Sequence, residues 1–224
     1  MDHFRNKAIA HVGERPYNAP FHKLMRMFTI SLLVAFIGAA FGMAFVPPAL
    51  IMPLALVEFG MLIAAMFIRR RGKAIGYGFV YSFVFISGIT LFPPIAYYTS
   101  ASGAAVVHTA FILTVAVFAG LSVYAYYSKR DFSFLRSFLM VGLFALIGFA
   151  IAGLFLSGLN TGALGLTIGF LGVMVFSGFI LYDISQYKHG VPDEMIPLAV
   201  LNLYLSFINL FLYLLQILGI LSED

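Results

Sequence analysis

The chain is predicted to be an all-α integral membrane protein with seven transmembrane helices. Three observations carry this. Of its 224 residues, 62% are hydrophobic and 10% charged, whereas a soluble domain of this length carries far more charge. Seven apolar segments are each near the roughly 20 residues a bilayer requires. All thirteen Lys and Arg fall on one side of the membrane when those segments alternate in direction.

The elements follow in order. Residues 1–26 form a polar arm, mobile or interfacial, with Pro16 and Pro20. It has no apolar stretch before a small-residue cleavage site, so no cleavable signal peptide is expected. The spans are expected at about 27–46, 50–68, 76–97, 104–127, 137–156, 163–187 and 195–221, within one transmembrane domain over 27–221, and residues 222–224 form a short tail. Pro47-Pro48, Pro93-Pro94, Ser100–Gly103 and Ser157–Thr161 mark loops. Pro53 falls in the first turn of span two, where proline is tolerated. Gly38 and Gly42 make a GxxxG match in span one, a pattern common in membrane helices and weak on its own. Tyr97, Tyr98, Tyr124, Tyr126 and Tyr127 sit where interfacial aromatic residues are expected.

The basic residues cluster before span one (Arg5, Lys7, Arg15, Lys23, Arg26), between spans two and three (Arg69, Arg70, Arg71, Lys73), between four and five (Lys129, Arg130, Arg136), and between six and seven (Lys188). The amino terminus is therefore expected in the cytoplasm and the carboxyl terminus outside. Six spans with a re-entrant last helix is the alternative.

Span seven carries a polar stripe. Asn202, Ser206, Asn209, Tyr213 and Gln216 recur at spacings of 4, 3, 4 and 3, one face of a helix. Lipid leaves such groups without partners, so the stripe should face protein or trapped water. It is either interhelical glue or the wall of an ion pathway. Span six presents Gly162, Gly165, Gly169 and Gly172 at matching steps, a face that admits a close neighbour. The same phase continues through Phe176 and Phe179 to Asp183. An ionisable group inside a bundle is a functional candidate; a cap or interfacial anchor is the plain alternative, because Asp183 is about one turn from the polar turn.

Glu58 is the other acid within a span, roughly 12 Å into span two at 1.5 Å per residue. A carboxylate there must be protonated, paired or hydrated. Arg69 lies eleven residues on and nearly in phase, so of its triplet it points inward best, with a topology anchor as the bland reading. Arg69 and Asp183 share the cytoplasmic end and can meet to close the bundle.

An enzyme is not expected: HExxH and GxSxG are absent, and Glu58 and Asp183 lie at different depths. With no cysteine there is neither a disulfide nor a thiolate metal site. His108 and His189 are isolated, so no metal cluster is expected. The net charge of +4 reflects membrane-edge cations and not a nucleic-acid partner; the expected partners are the lipid bilayer and an ion.

The segments Arg69–Tyr77 (RRRGKAIGY), Gly88–Pro93 (GITLFP), Leu181–Gln186 (LYDISQ) and Leu203–Phe211 (LYLSFINLF) resemble the transmembrane Bax-inhibitor-motif family, specifically its bacterial calcium-leak members. The resemblance covers nearly the whole chain from Phe28. It implies six helices around a central C-terminal helix, a bacterial inner-membrane location, and a cytoplasm-facing aspartate pair that senses pH and calcium. It also implies an arginine at the end of span two that latches onto that pair. Asp183 matches the first aspartate and Arg69 the arginine. The second aspartate position falls at Ser206, in LYLSF where the family reads LYLDF. With one carboxylate and a hydroxyl the coupled titration is lost, and calcium, which prefers several oxygens and more than one negative charge, should bind weakly.

The resulting expectation is a pH-sensitive calcium leak channel or passive cation pathway without cofactor. Asp183, Ser206 and Arg69 form its gate and ion site, Asp183 is a weak calcium ligand, and Glu58, Asn202 and Asn209 line the route. The alternatives are a non-conducting regulator of a membrane protease or channel, and a proton-coupled cation exchanger.

Overall fold

Glycine and proline set the helix boundaries. A computed structural model of the protein describes residues 18–153, 155–156, 159 and 161–223. It contains seven helices long and apolar enough to cross a membrane: α1 (Phe21–Phe45), α2 (Pro48–Arg70), α3 (Tyr77–Ser102), α4 (Ala104–Tyr127), α5 (Leu135–Gly153), α6 (Gly162–Tyr187) and α7 (Ile196–Glu223). Pro47 precedes α2 and Pro48 occupies its first turn, where a missing N–H is no loss. A single residue, Gly103, joins α3 to α4 at φ 88°, a left-handed conformation that side chains disfavour.

Two boundaries differ from the sequence reading. Helix α1 begins at Phe21, six residues before the expected start, because its inward face already begins at Leu24 and continues at Phe28, 1% and 3% exposed. His22 and Lys23 ride on its outer side, as cationic side chains do at a membrane edge. Helix α3 runs through Pro93-Pro94 to Ser102, so those prolines do not make a loop. Proline costs a helix one N–H donor per ring, and packed membrane helices tolerate that loss. Pro53 likewise lies inside α2, in its second turn. The loop marked at 157–161 lies largely outside the described residues.

The C-terminal helix is the centre of the bundle. Just over half of its membrane window is buried, the largest share of any span. It packs on α6, α4, α3 and α1, while α2 rests mainly on α3 and α5 on α6. The expected ring of six is thus four helices in contact with α7 and two placed behind them. Phe207 of α7 meets Phe28 of α1 and Phe118 of α4 at ring centroid distances of 6.0 and 5.5 Å, and Phe28 stacks on Phe118 at 4.9 Å. Such aromatic contacts add to simple area burial.

Small residues allow the closest approaches. A Cβ at Gly38 would collide with the backbone carbonyl of Phe85, and one at Gly88 with that of Ala35. Gly42 abuts Ile89. The GxxxG match is therefore a real seam, between α1 and α3, with Gly88 as its third member. Across α6 and α7, Gly172 seats the Tyr213 ring and Gly169 seats Ile217, while Gly142 and Gly178 seat Val175 and Leu139 across α5 and α6.

On the face that carries the basic loops, β1 (Asn18–Ala19) pairs antiparallel with β2 (Val191–Pro192). Lys23 reinforces this with an ion pair to Asp193 at 3.0 Å. The arm is thus tied to the turn between α6 and α7 just before α1 starts; residues 1–17 lie outside the described residues.

The α1–α3 seam gives a direct test. Gly38→Val is expected to lower stability by about 1–3 kcal/mol or more, since backbone rather than a flexible side chain must yield. Gly60→Ala, with open space around it, should stay within about 0.5 kcal/mol. Thermal unfolding in detergent distinguishes them.

Candidate functional site

Asp183 lies one turn before the end of α6 and is 4% exposed. No cation pairs with it: among the described residues the ion pair is Lys23–Asp193. Its partner is the Tyr187 hydroxyl, one helical turn on, and Tyr187 accepts a 3.0 Å hydrogen bond from Asn202 Nδ2 of α7. A relay therefore runs Asn202 → Tyr187 → Asp183 across the α6–α7 seam. Asn202, a residue expected to line the route, is the one by which α7 bonds the Tyr187 hydroxyl. Tyr187 was missed, although its position four residues after Asp183 puts it on the same face.

Ser206 sits one turn beyond Asn202, also 4% exposed. It is on the buried face as expected, but no hydrogen bond joins it to Asp183 among those the described residues make. Asn209 bonds the Leu205 carbonyl of its own helix at 2.8 Å. Gln216 reaches the Gly165 carbonyl of α6 at 3.1 Å, and Phe176 stacks on Tyr213 at 5.9 Å. The polar stripe is thus satisfied chiefly by α6 and its own backbone. That is the glue reading of the stripe, with Asp183 at its cytoplasm-expected end.

Arg69 is exposed at the end of α2. It forms no ion pair with Asp183, and its charge bears only weakly on the Tyr187 hydroxyl.

Glu58 belongs to a second cluster. Thr90 Oγ1 of α3 is 2.6 Å from Glu58 Oε2 and 3.0 Å from the Ser87 carbonyl. A hydroxyl holds one proton, so it donates to one at a time, and the carboxylate is the stronger acceptor when ionised. Tyr204 of α7 is fully buried and lies in the field of Glu58. Its hydroxyl faces Ser87, itself 4% exposed, without completing a hydrogen bond. Tyr204 and Asn202 are two residues apart, about 200° around a helix of 3.6 residues per turn. Glu58 and Asp183 therefore flank α7 on different sides, and no hydrogen-bond chain among the described residues connects them.

The loops below the site are braced. Gln186 donates to Ser133 Oγ at 3.0 Å, and Ser133 N donates to Asp131 at 2.9 Å. The Ser133 hydrogen bonds, chiefly, hold the Asp131 carboxyl below its usual range, with the Lys188 charge assisting. Lys188 Nζ caps the end of α4 by donating to the carbonyls of Ser128 and Ala125 at 2.6 and 3.4 Å. Tyr97, Tyr124, Tyr126 and Tyr127 are exposed as interface residues should be, whereas Tyr98 packs on Gly219. No group of three or more His, Cys, Asp or Glu gathers among the described residues.

Seven apolar spans packed about a buried C-terminal helix define a polytopic helical membrane protein. The family model described as inhibitor of apoptosis-promoting Bax1 matches residues 18–223. The chain belongs to that family. It is 34% identical over 202 residues to an uncharacterized membrane protein of Vibrio cholerae, covering 88% of this chain and 87% of the relative. It is 31% identical over 224 residues to the Campylobacter jejuni protein Cj0236c, covering 97% and 95%. Protein lifeguard 4 of Mus musculus is 33% identical over 171 residues, 76% of this chain and 68% of the relative.

Tyr187→Phe should strand Asn202 Nδ2 and Asp183 together, lowering stability by about 1–3 kcal/mol. Ser206→Ala should cost less. In a double-mutant cycle, Tyr187→Phe and Asn202→Ala should prove non-additive, because each removes the same hydrogen bond.

Proposed function

We propose that the protein is a passive cation pathway with calcium as its favoured cargo, gated where Asp183, Tyr187 and Asn202 meet at the basic face. The observation that carries this is a buried carboxylate with no cationic partner among the described residues. The fold must neutralise such a group with a proton, a passing cation or Arg69. Those three outcomes are a closed, a conducting and a latched state. Arg69 ends α2 on the same basic face and its charge bears on the Tyr187 hydroxyl, so it is the arginine assigned here to the latch. The basic face is taken as cytoplasmic, from the one-sided charges.

A second reading is a non-conducting regulator of another membrane protein. The packed stripe between α6 and α7 favours it, since that seam offers glue and no open wall. A relative from Schizosaccharomyces pombe, 34% identical over 66% of this chain, is named Bax inhibitor 1.

Calcium flux into liposomes separates the two. Arg69→Ala should raise leak several-fold, whereas Arg70→Ala and Arg71→Ala change it little; equal responses would reduce the triplet to a surface charge. Ser206→Asp should steepen the pH response, because two facing carboxylates titrate as a coupled pair, and should tighten calcium binding. A regulator without a pathway shows no protein-dependent flux in any of these forms.

A further inference from the structure

Outside the Asp183 site, two clefts that share Phe21 and Tyr126 open at the basic face. One, of about 360 Å³, is lined by Pro20, Phe21 and His22 from the start of α1, Tyr126 from α4, and Lys188, His189 and Gly190 from the α6–α7 turn. The other, of about 420 Å³, runs along the α1–α4 groove and is almost wholly apolar, with Met25, Phe118, Ala119 and Val123 in its wall. Phe21 and Tyr126 line both, with ring centroids 5.1 Å apart. A basic compartment therefore opens, past one aromatic pair, into a hydrocarbon-lined groove facing the membrane.

We propose that these clefts bind one anionic phospholipid, its phosphate in the compartment of His22, Lys188 and His189 and an acyl chain in the α1–α4 groove. Charge complementarity and the continuity of the two clefts argue for it. Lys188 has three ammonium donors, and the Ser128 and Ala125 carbonyls take two. Among the described residues no carboxylate pairs with Lys188; Asp131 feels its charge but is itself hydrogen-bonded by Ser133. One donor is therefore left for an anion, on a side chain whose position the two carbonyls fix. Both imidazoles are exposed and can donate. The compartment is built rather than incidental. The β1–β2 pairing and Lys23–Asp193 hold Pro20 against the α6–α7 turn, and Gly190, at φ 93°, folds that turn back on Tyr187. Basic pockets between helices at a membrane face suit anionic headgroups, and an apolar groove beside one favours a lipid over a free phosphate.

Full-length protein in a neutral detergent, titrated with phosphatidylglycerol or phosphatidylcholine and read by native mass spectrometry, tests this. Phosphatidylglycerol should bind at least about fivefold more tightly. Lys188→Gln combined with His22→Ala and His189→Ala should abolish that preference and leave phosphatidylcholine binding unchanged. Ala119→Trp, filling the groove, should weaken both lipids. If the triple variant fails to fold, the double histidine variant should still reduce the preference at least about twofold. Equal binding of the two lipids, a preference that survives the headgroup variants, or displacement by glycerol phosphate at the lipid's own concentration would overturn the proposal. None of these outcomes depends on whether the protein conducts calcium.

Discussion

The contact between α6 and α7 is the constraint on which the rest of the structure depends. A C-terminal helix with five polar residues on one face cannot stand in hydrocarbon. Helix α6 answers with glycines that seat Tyr213 and Ile217, a carbonyl for Gln216 and a hydroxyl for Asn202. Once that seam is closed, the other faces of α7 are free to take the aromatic contacts from α1 and α4 and the packing of α3. Asp183 is buried as a consequence of the same seam. Its phase on α6 is that of the glycines, so whatever holds the helices together also removes it from water.

This coupling makes the site sensitive to packing. A shift of α6 on α7 would strain the Asn202–Tyr187 and Gln216–Gly165 hydrogen bonds that cross the seam beside Asp183. The bracing on the loop side limits such movement. The arm pairs with the α6–α7 turn, Lys188 caps α4, and Gln186 reaches the α4–α5 loop. Glu58 lies outside this mechanical unit, held by Thr90 on the far flank of α7.

Much of this was legible in the sequence because membrane helices have simple periodicity. Composition and the one-sided cations gave seven spans, and phase alone placed Asp183 on a buried face. Three things were not legible. Pro93-Pro94 reads as a break, since sequence does not show that neighbouring helices tolerate two missing donors. The start of α1 was hidden because charged residues on its outer side mask the buried Leu24 and Phe28. The relay through Tyr187 could have been found from its four-residue spacing to Asp183, but its bond to Asn202 depends on the rotation of α7. The separation of Glu58 from Asp183 also follows from that rotation, and helical phase within each span is silent about it.

In the proposed pathway, Asp183 is the group whose neutralisation decides whether a cation passes. The most direct measurement is calcium flux into liposomes holding the purified protein, over a pH series, beside Asp183→Asn. The prediction is protein-dependent flux with a shallow pH dependence in the unaltered chain, and loss of that pH dependence in the variant. A pH response that survives Asp183→Asn unchanged would contradict the account, as would the absence of flux from both proteins when each is shown to be folded and inserted.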